Sequence, residues 1–166
     1  MSVILSIPIL AFISILQSAV VSRLPLNQGM ADLMLVLLVA IALQKRVTTA
    51  WQWSTIGGLL IDFTSGLPFG IFTVSYLLVT ALAMIIRERI WRFAFLMQLL
   101  VVLVGTLLSQ GLSYLVLFLQ GASMEFAIVL QVIIMPSIIL NFMLSLPTFV
   151  LTKDVLNQID PQEQNA

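Results

Sequence analysis

Apolar residues run through this chain in blocks of roughly membrane length, separated by short polar or turn-forming breaks. A helix crossing about 30 Å of hydrocarbon needs about 20 mostly apolar residues at about 1.5 Å each, and six blocks meet or approach that requirement. They predict spans at residues 3–21, 25–43, 50–65, 70–86, 93–119 and 126–151 within a single transmembrane domain, 1–152, followed by a polar tail at 153–166. The first block closes at Ser22-Arg23. It lacks a basic leader and a small-x-small cleavage site, so it reads as a retained helix rather than a signal peptide. The second is solidly apolar only from Met34 to Leu43, and it reaches span length by starting near Leu24-Pro25 or by being partly re-entrant.

The breaks carry their own signals. Lys45-Arg46-Val47-Thr48-Thr49 ends the second block, and Trp51 and Trp53 then stand where an aromatic belt would anchor the third. Gly66-Leu67-Pro68-Phe69-Gly70 reads as a tight turn, because glycine permits positive φ and proline fixes φ; it makes helices three and four a hairpin. Arg87-Glu88-Arg89-Ile90-Trp91-Arg92 is the largest charge cluster. The fifth block is longer than a bilayer requires, which predicts tilt or a bend near Gly105 or Gly111. Pro136 and Pro147 predict kinks in the sixth.

Composition agrees: 61% of residues are hydrophobic and 8% charged, against about 45–50% and about 25% in an ordinary soluble domain. Mean hydropathy is +1.16. The expectation is an all-α integral membrane protein in contact with lipid. Seven basic residues balance seven acidic ones, so no charge excess is available to hold a nucleic acid. Cysteine and histidine are both absent, which removes disulfides, thiolate or imidazole metal sites and any triad relaying a proton through imidazole. Across six spans, Lys45, Arg46, Arg87, Arg89, Arg92 and Lys153 fall on one side and Arg23 alone on the other. The positive-inside rule then places both termini in the cytoplasm.

A charge within a span costs about 2.5–3.5 kcal/mol on insertion scales, so Asp62 is the residue to explain. It belongs to a series of small or turn-forming positions, Gly57, Gly58, Ser65, Gly66, Pro68 and Gly70, and the four-residue spacing of Gly58, Asp62 and Gly66 would put them on one helix face. Two readings stand: a polar site or partner contact near the outer surface, or a cap on the backbone of the glycine-rich turn. Asp32 reads as a helix N-cap at the start of the second block. Gln98, Gln110, Gln131 and Asn141 read as interhelical hydrogen-bonding groups, and Gly105, Ser109 and Ser113, with Thr106 alongside, as a close-packing stripe. Asp62 has no intramembrane acidic companion within a helical turn, and no span holds a lysine or histidine to serve as base; the chain is therefore expected not to be an enzyme and to need no metal or cofactor.

Two stretches together resemble the bacterial rod shape-determining MreD family. They are Ala31-Asp32-Leu33-Met34-Leu35-Val36-Leu37-Leu38-Val39-Ala40-Ile41-Ala42-Leu43 and Gly57-Gly58-Leu59-Leu60-Ile61-Asp62-Phe63-Thr64-Ser65-Gly66-Leu67-Pro68-Phe69-Gly70. The family's second motif has a glycine pair, an aspartate, a glycine and then proline-x-glycine, all present here; its first begins proline-aspartate-leucine, where this chain has Ala31. The resemblance implies a non-enzymatic inner-membrane scaffold of the cell-elongation machinery that supports lateral peptidoglycan synthesis and rod shape. It implies MreC, a single-span protein with a periplasmic domain, as main partner. MreB, RodA and a class B penicillin-binding protein are implied as wider members. The family is similar in fold to the S-components of energy-coupling-factor transporters, six helices around an outward pocket. The alternative is therefore a substrate-binding subunit of a small-molecule transporter.

Overall fold

A computed structural model describes residues 3–19, 28–44, 47–88, 94–122 and 125–159, and every regular element among them is a helix. Six helices follow the hydrophobic blocks: α1 (Val3–Ala19), α2 (Leu33–Ala42), α3 (Ala50–Thr64), α4 (Ile71–Arg87), α5 (Ala94–Leu119) and α6. The last runs without a break in three parts, an opening turn Phe126–Val129, a π-helical stretch Leu130–Ile134 and a long α-helical part Met135–Ile159. Several expected boundary markers, Arg23, Lys45, Arg46, Arg89, Trp91 and Arg92, lie outside the described residues, as do the Leu24-Pro25 start of the second block and the end of the tail at 160–166.

The organising element is α2. With 10 residues it is about 15 Å long, half a bilayer. It is apolar all round, and all of its residues except Leu37 are buried, because α1, α3, α4, α5 and α6 pack about it. Glycines set how closely its neighbours come. A methyl group on Gly57 would meet the Met34 sulfur at 3.1 Å, and one on Gly105 would meet Val79 at 2.9 Å and Leu35 at 3.3 Å. A methyl on Gly58 would lie 2.5 Å from the Thr73 Cα, so the α3–α4 hairpin closes backbone on backbone.

The exterior is the reverse of a water-soluble protein's. Phe12, Ile15, Phe63, Ile85, Phe118, Leu119, Met143 and Leu151 are exposed, while Ser54, Asp62, Thr80, Gln98, Asn141 and Ser145 are buried. Two helices, Phe95–Leu119 and Phe126–Asp154, are long and apolar enough to cross a membrane, and only 33% and 28% of their most apolar stretches are buried. The core helix of a soluble domain would be mostly covered; these present their apolar faces outward. Trp51 is exposed at 54% and suits the expected aromatic belt, but Trp53 is 1% exposed and belongs to the core. Residues two apart on a helix point about 200° apart, so both cannot face outward.

Candidate functional site

Residues 28–32 run non-helically along α6, and this segment builds the polar centre of the protein. Pro136 has no N–H to return to the preceding turn, and the π-helical stretch widens the helix immediately before it. The Val132 carbonyl there accepts the Gln28 N–H at 3.2 Å. Further along α6, the Met30 N–H donates to the Ser137 hydroxyl at 3.1 Å and the Asp32 N–H to the Asn141 side-chain carbonyl at 2.6 Å. Alternate residues of the segment thus hand their amides to one face of α6. Gly29 makes the approach possible: a Cβ there would lie 2.7 Å from both the Pro136 Cβ and the Ser137 nitrogen. The non-helical backbone is tolerable because α6 satisfies its amides.

Asp32 ends the segment and starts α2. Its Oδ1 accepts the Leu35 N–H at 3.0 Å, the expected cap. Tyr76 on α4 adds a hydroxyl 2.8 Å from each carboxylate oxygen, and Gln17 on α1 donates a longer bond at 3.4 Å while its own carbonyl accepts the Met34 N–H at 2.8 Å. Asn141 continues the network, donating to the Thr106 hydroxyl on α5 at 2.8 Å. One carboxylate therefore sits where α1, α2, α4, α5 and α6 are joined. Sequence reasoning found Asp32 as a cap and Asn141 as a hydrogen-bonding group but missed Tyr76 and Gln17; a lone phenol in the apolar α4 and an amide near the end of α1 were the available signals.

Asp62 is 4% exposed at the end of α3. Its two oxygens accept the Phe72 N–H at 2.9 Å, the Thr73 N–H at 3.0 Å and the Thr73 hydroxyl at 2.6 Å, so it satisfies the open first turn of α4 from across the hairpin. Gly58 and Asp62 do share a face, and both meet Thr73. Gly66 does not extend it, because α3 ends at Thr64; nothing lies within 4 Å of where its Cβ would be. The turn's left-handed residue is Gly70, with φ 102°, directly before α4, and Pro68 lies between the two glycines. Phe63 and Phe69 flank this turn with an edge-to-face contact at 5.1 Å.

The remaining candidates divide. Ser109 and Ser113 are buried in the stripe begun by Gly105, with the Ser113 hydroxyl donating to the Ser109 carbonyl at 2.8 Å. Gln98 donates to the Ser145 carbonyl at 2.9 Å and so links α5 to α6. Gln131 is instead exposed on the π-helical stretch, and Gln110 lines a small cavity of about 70 Å³ with Ser113 and Tyr114. At the other end of α2, Arg87 donates to the carbonyls of Ala42, Gln44 and Val47 at 3.4, 3.3 and 3.0 Å, a C-terminal counterpart to Asp32 that the sequence did not single out. A larger cavity, about 370 Å³, opens between α1, the 28–32 segment and the hairpin end of α3 and α4. No known protein family, curated protein or solved structure matches this chain.

Proposed function

We propose that this chain is a non-enzymatic scaffold of the bacterial inner membrane, crossing it six times with both termini in the cytoplasm and serving the cell-elongation machinery through a single-span partner of the MreC type. MreB, RodA and a class B penicillin-binding protein would be its wider company. One observation carries the reading beyond the sequence resemblance: the carboxylates of both motifs, Asp32 and Asp62, are fully engaged in capping helices and tying them together. The motifs therefore specify a rigid bundle, and what the bundle offers outward is the apolar helix surface a partner's span can pack against.

A second reading, a substrate-binding subunit of a small-molecule transporter, is favoured by the cavity of about 370 Å³ at the hairpin end. The two separate in one experiment. The tagged chain is extracted from its native membrane in mild detergent and its co-purifying proteins are identified by mass spectrometry. A single-span protein with a periplasmic domain supports the scaffold; ATP-hydrolysing subunits support the transporter; recovery of neither overturns both.

A further inference from the structure

The cavity at the hairpin end has a lining whose hydrogen-bonding capacity can be worked out group by group. The Thr64 hydroxyl donates to the carbonyls of Leu60 and Ile61, at 3.2 and 3.1 Å, and the Ser65 hydroxyl to the Asp62 carbonyl at 3.3 Å. Each has only one hydrogen, so toward the cavity both act as acceptors. Gln17 has its carbonyl occupied by Met34 and one N–H directed to Asp32, which leaves its second N–H as a donor. Ser14 adds a hydroxyl, and Ile61 and Phe72 supply apolar wall.

Charge narrows the ligand further. No lysine or arginine stands among the described lining residues. Two carboxylates lie directly behind the wall, Asp32 bonded to the lining Gln17 and Asp62 bonded to the amide of the lining Phe72, so an anion is repelled. Neither carboxylate is itself among the lining residues, and both are already engaged by several donors each, so neither is presented to the cavity to bind a cation directly. The volume of about 370 Å³ lies within the range of about 300–1,000 Å³ of pockets that take small organic ligands.

We propose that this cavity binds an uncharged, hydroxyl-rich group, a sugar or polyol, whose hydroxyls donate to Thr64 and Ser65, accept from Gln17 and present an apolar face to Phe72. The group arrives either as the headgroup of a neutral lipid or as a free molecule. The inference rests on the cavity alone and holds whether or not the chain joins the elongation machinery.

The test uses the full chain in phosphatidylcholine nanodiscs, with empty nanodiscs subtracted as background. Binding of octyl glucoside, glucose, octyl phosphate and octyltrimethylammonium is measured by equilibrium dialysis and saturation-transfer NMR. Saturable binding of octyl glucoside alone supports the proposal with a lipid source, and saturable binding of glucose as well supports it with a free one. Ser65→Trp, which puts an indole in place of a lining hydroxyl, should weaken binding at least tenfold. The milder Thr64→Val/Ser65→Ala pair, checked for folding by circular dichroism, should weaken it at least threefold. Phe118→Trp, on the exposed face of α5, should leave it unchanged. Preference for either charged probe, absence of saturable binding of both sugars, or equal binding by the folded Thr64→Val/Ser65→Ala protein would overturn the proposal. None of these results bears on which partner co-purifies, so the scaffold reading stands or falls separately.

Discussion

Tyr76 and Arg87, about three turns apart on α4, hold the two ends of α2: the Tyr76 hydroxyl reaches the Asp32 carboxylate at its start and the Arg87 guanidinium the Ala42 carbonyl at its finish. An acid at the N-terminus and a base at the C-terminus both complement the helix dipole. A helix too short to span a bilayer is thereby fixed in register against a longer one. Tyr76→Phe keeps the ring packing but leaves a buried carboxylate short of the donor that reaches both its oxygens. It should cost about 1–3 kcal/mol of stability. Arg87→Met should cost less, since Arg87 is only half-buried while Tyr76 is 1% exposed. Thermal melting of the purified variants checks the order.

The glycines of the core should rank by what a methyl group would strike. Gly29→Ala and Gly58→Ala drive Cβ into backbone or a proline ring at 2.5–2.7 Å, whereas at Gly57 the neighbours are flexible side chains of Met34 and Leu38 at 3.1 and 3.3 Å. Overpacking of this kind costs about 1–3 kcal/mol. Gly29→Ala and Gly58→Ala should accumulate poorly in the membrane, Gly57→Ala nearly normally, as read by quantitative immunoblotting.

The hairpin turn gives a paired comparison. Gly70 has φ 102°, where a β-branched residue is strained by about 1–2 kcal/mol, and Gly66 has neither a left-handed backbone nor a close neighbour. Gly70→Val should lower the melting temperature, and Gly66→Val should leave it within error. Equal effects would contradict the turn geometry.

Asp62 can be tested by charge and by hydrogen bonding separately. Asp62→Asn retains an oxygen to accept from the first turn of α4 and should cost about 1 kcal/mol or less. Asp62→Ala abandons the amides of Phe72 and Thr73 together with the Thr73 hydroxyl, and should cost about 1–3 kcal/mol. A cap predicts that partner recovery in pull-down tracks these stabilities. Normal stability with lost recovery for Asp62→Asn would make the charge itself a contact.

Helix positions were legible because hydrophobic blocks of this length admit few other structures, and α3, α4 and α5 lie within a residue or two of the blocks that predict them. The second block was only half legible. Its helix begins at Leu33, and residues 28–32 stay non-helical because Val132, Ser137 and Asn141 on the last helix offer acceptors that no local pattern reveals. Both motif aspartates could be read as caps from their places at helix ends. The Asp32 partners Tyr76 and Gln17, and the Asn141 side chain that takes its N–H, come from α4, α1 and α6, and bonds over such separations leave no periodic trace in sequence. Gly66 misled for the opposite reason: four-residue spacing implies a shared face only while the helix continues, and α3 stops first.

Six spans with both ends of the chain in the cytoplasm are tested most directly by cysteine accessibility, since the natural chain contains no cysteine. Gln120→Cys, in the turn between α5 and α6, and Gln158→Cys, near the end of α6, are expressed singly in cells with a permeabilised outer membrane and treated with an impermeant maleimide. Labelling at position 120 and protection at 158 until the inner membrane is opened is the predicted result. Labelling at position 158 in cells with an intact inner membrane would contradict the arrangement.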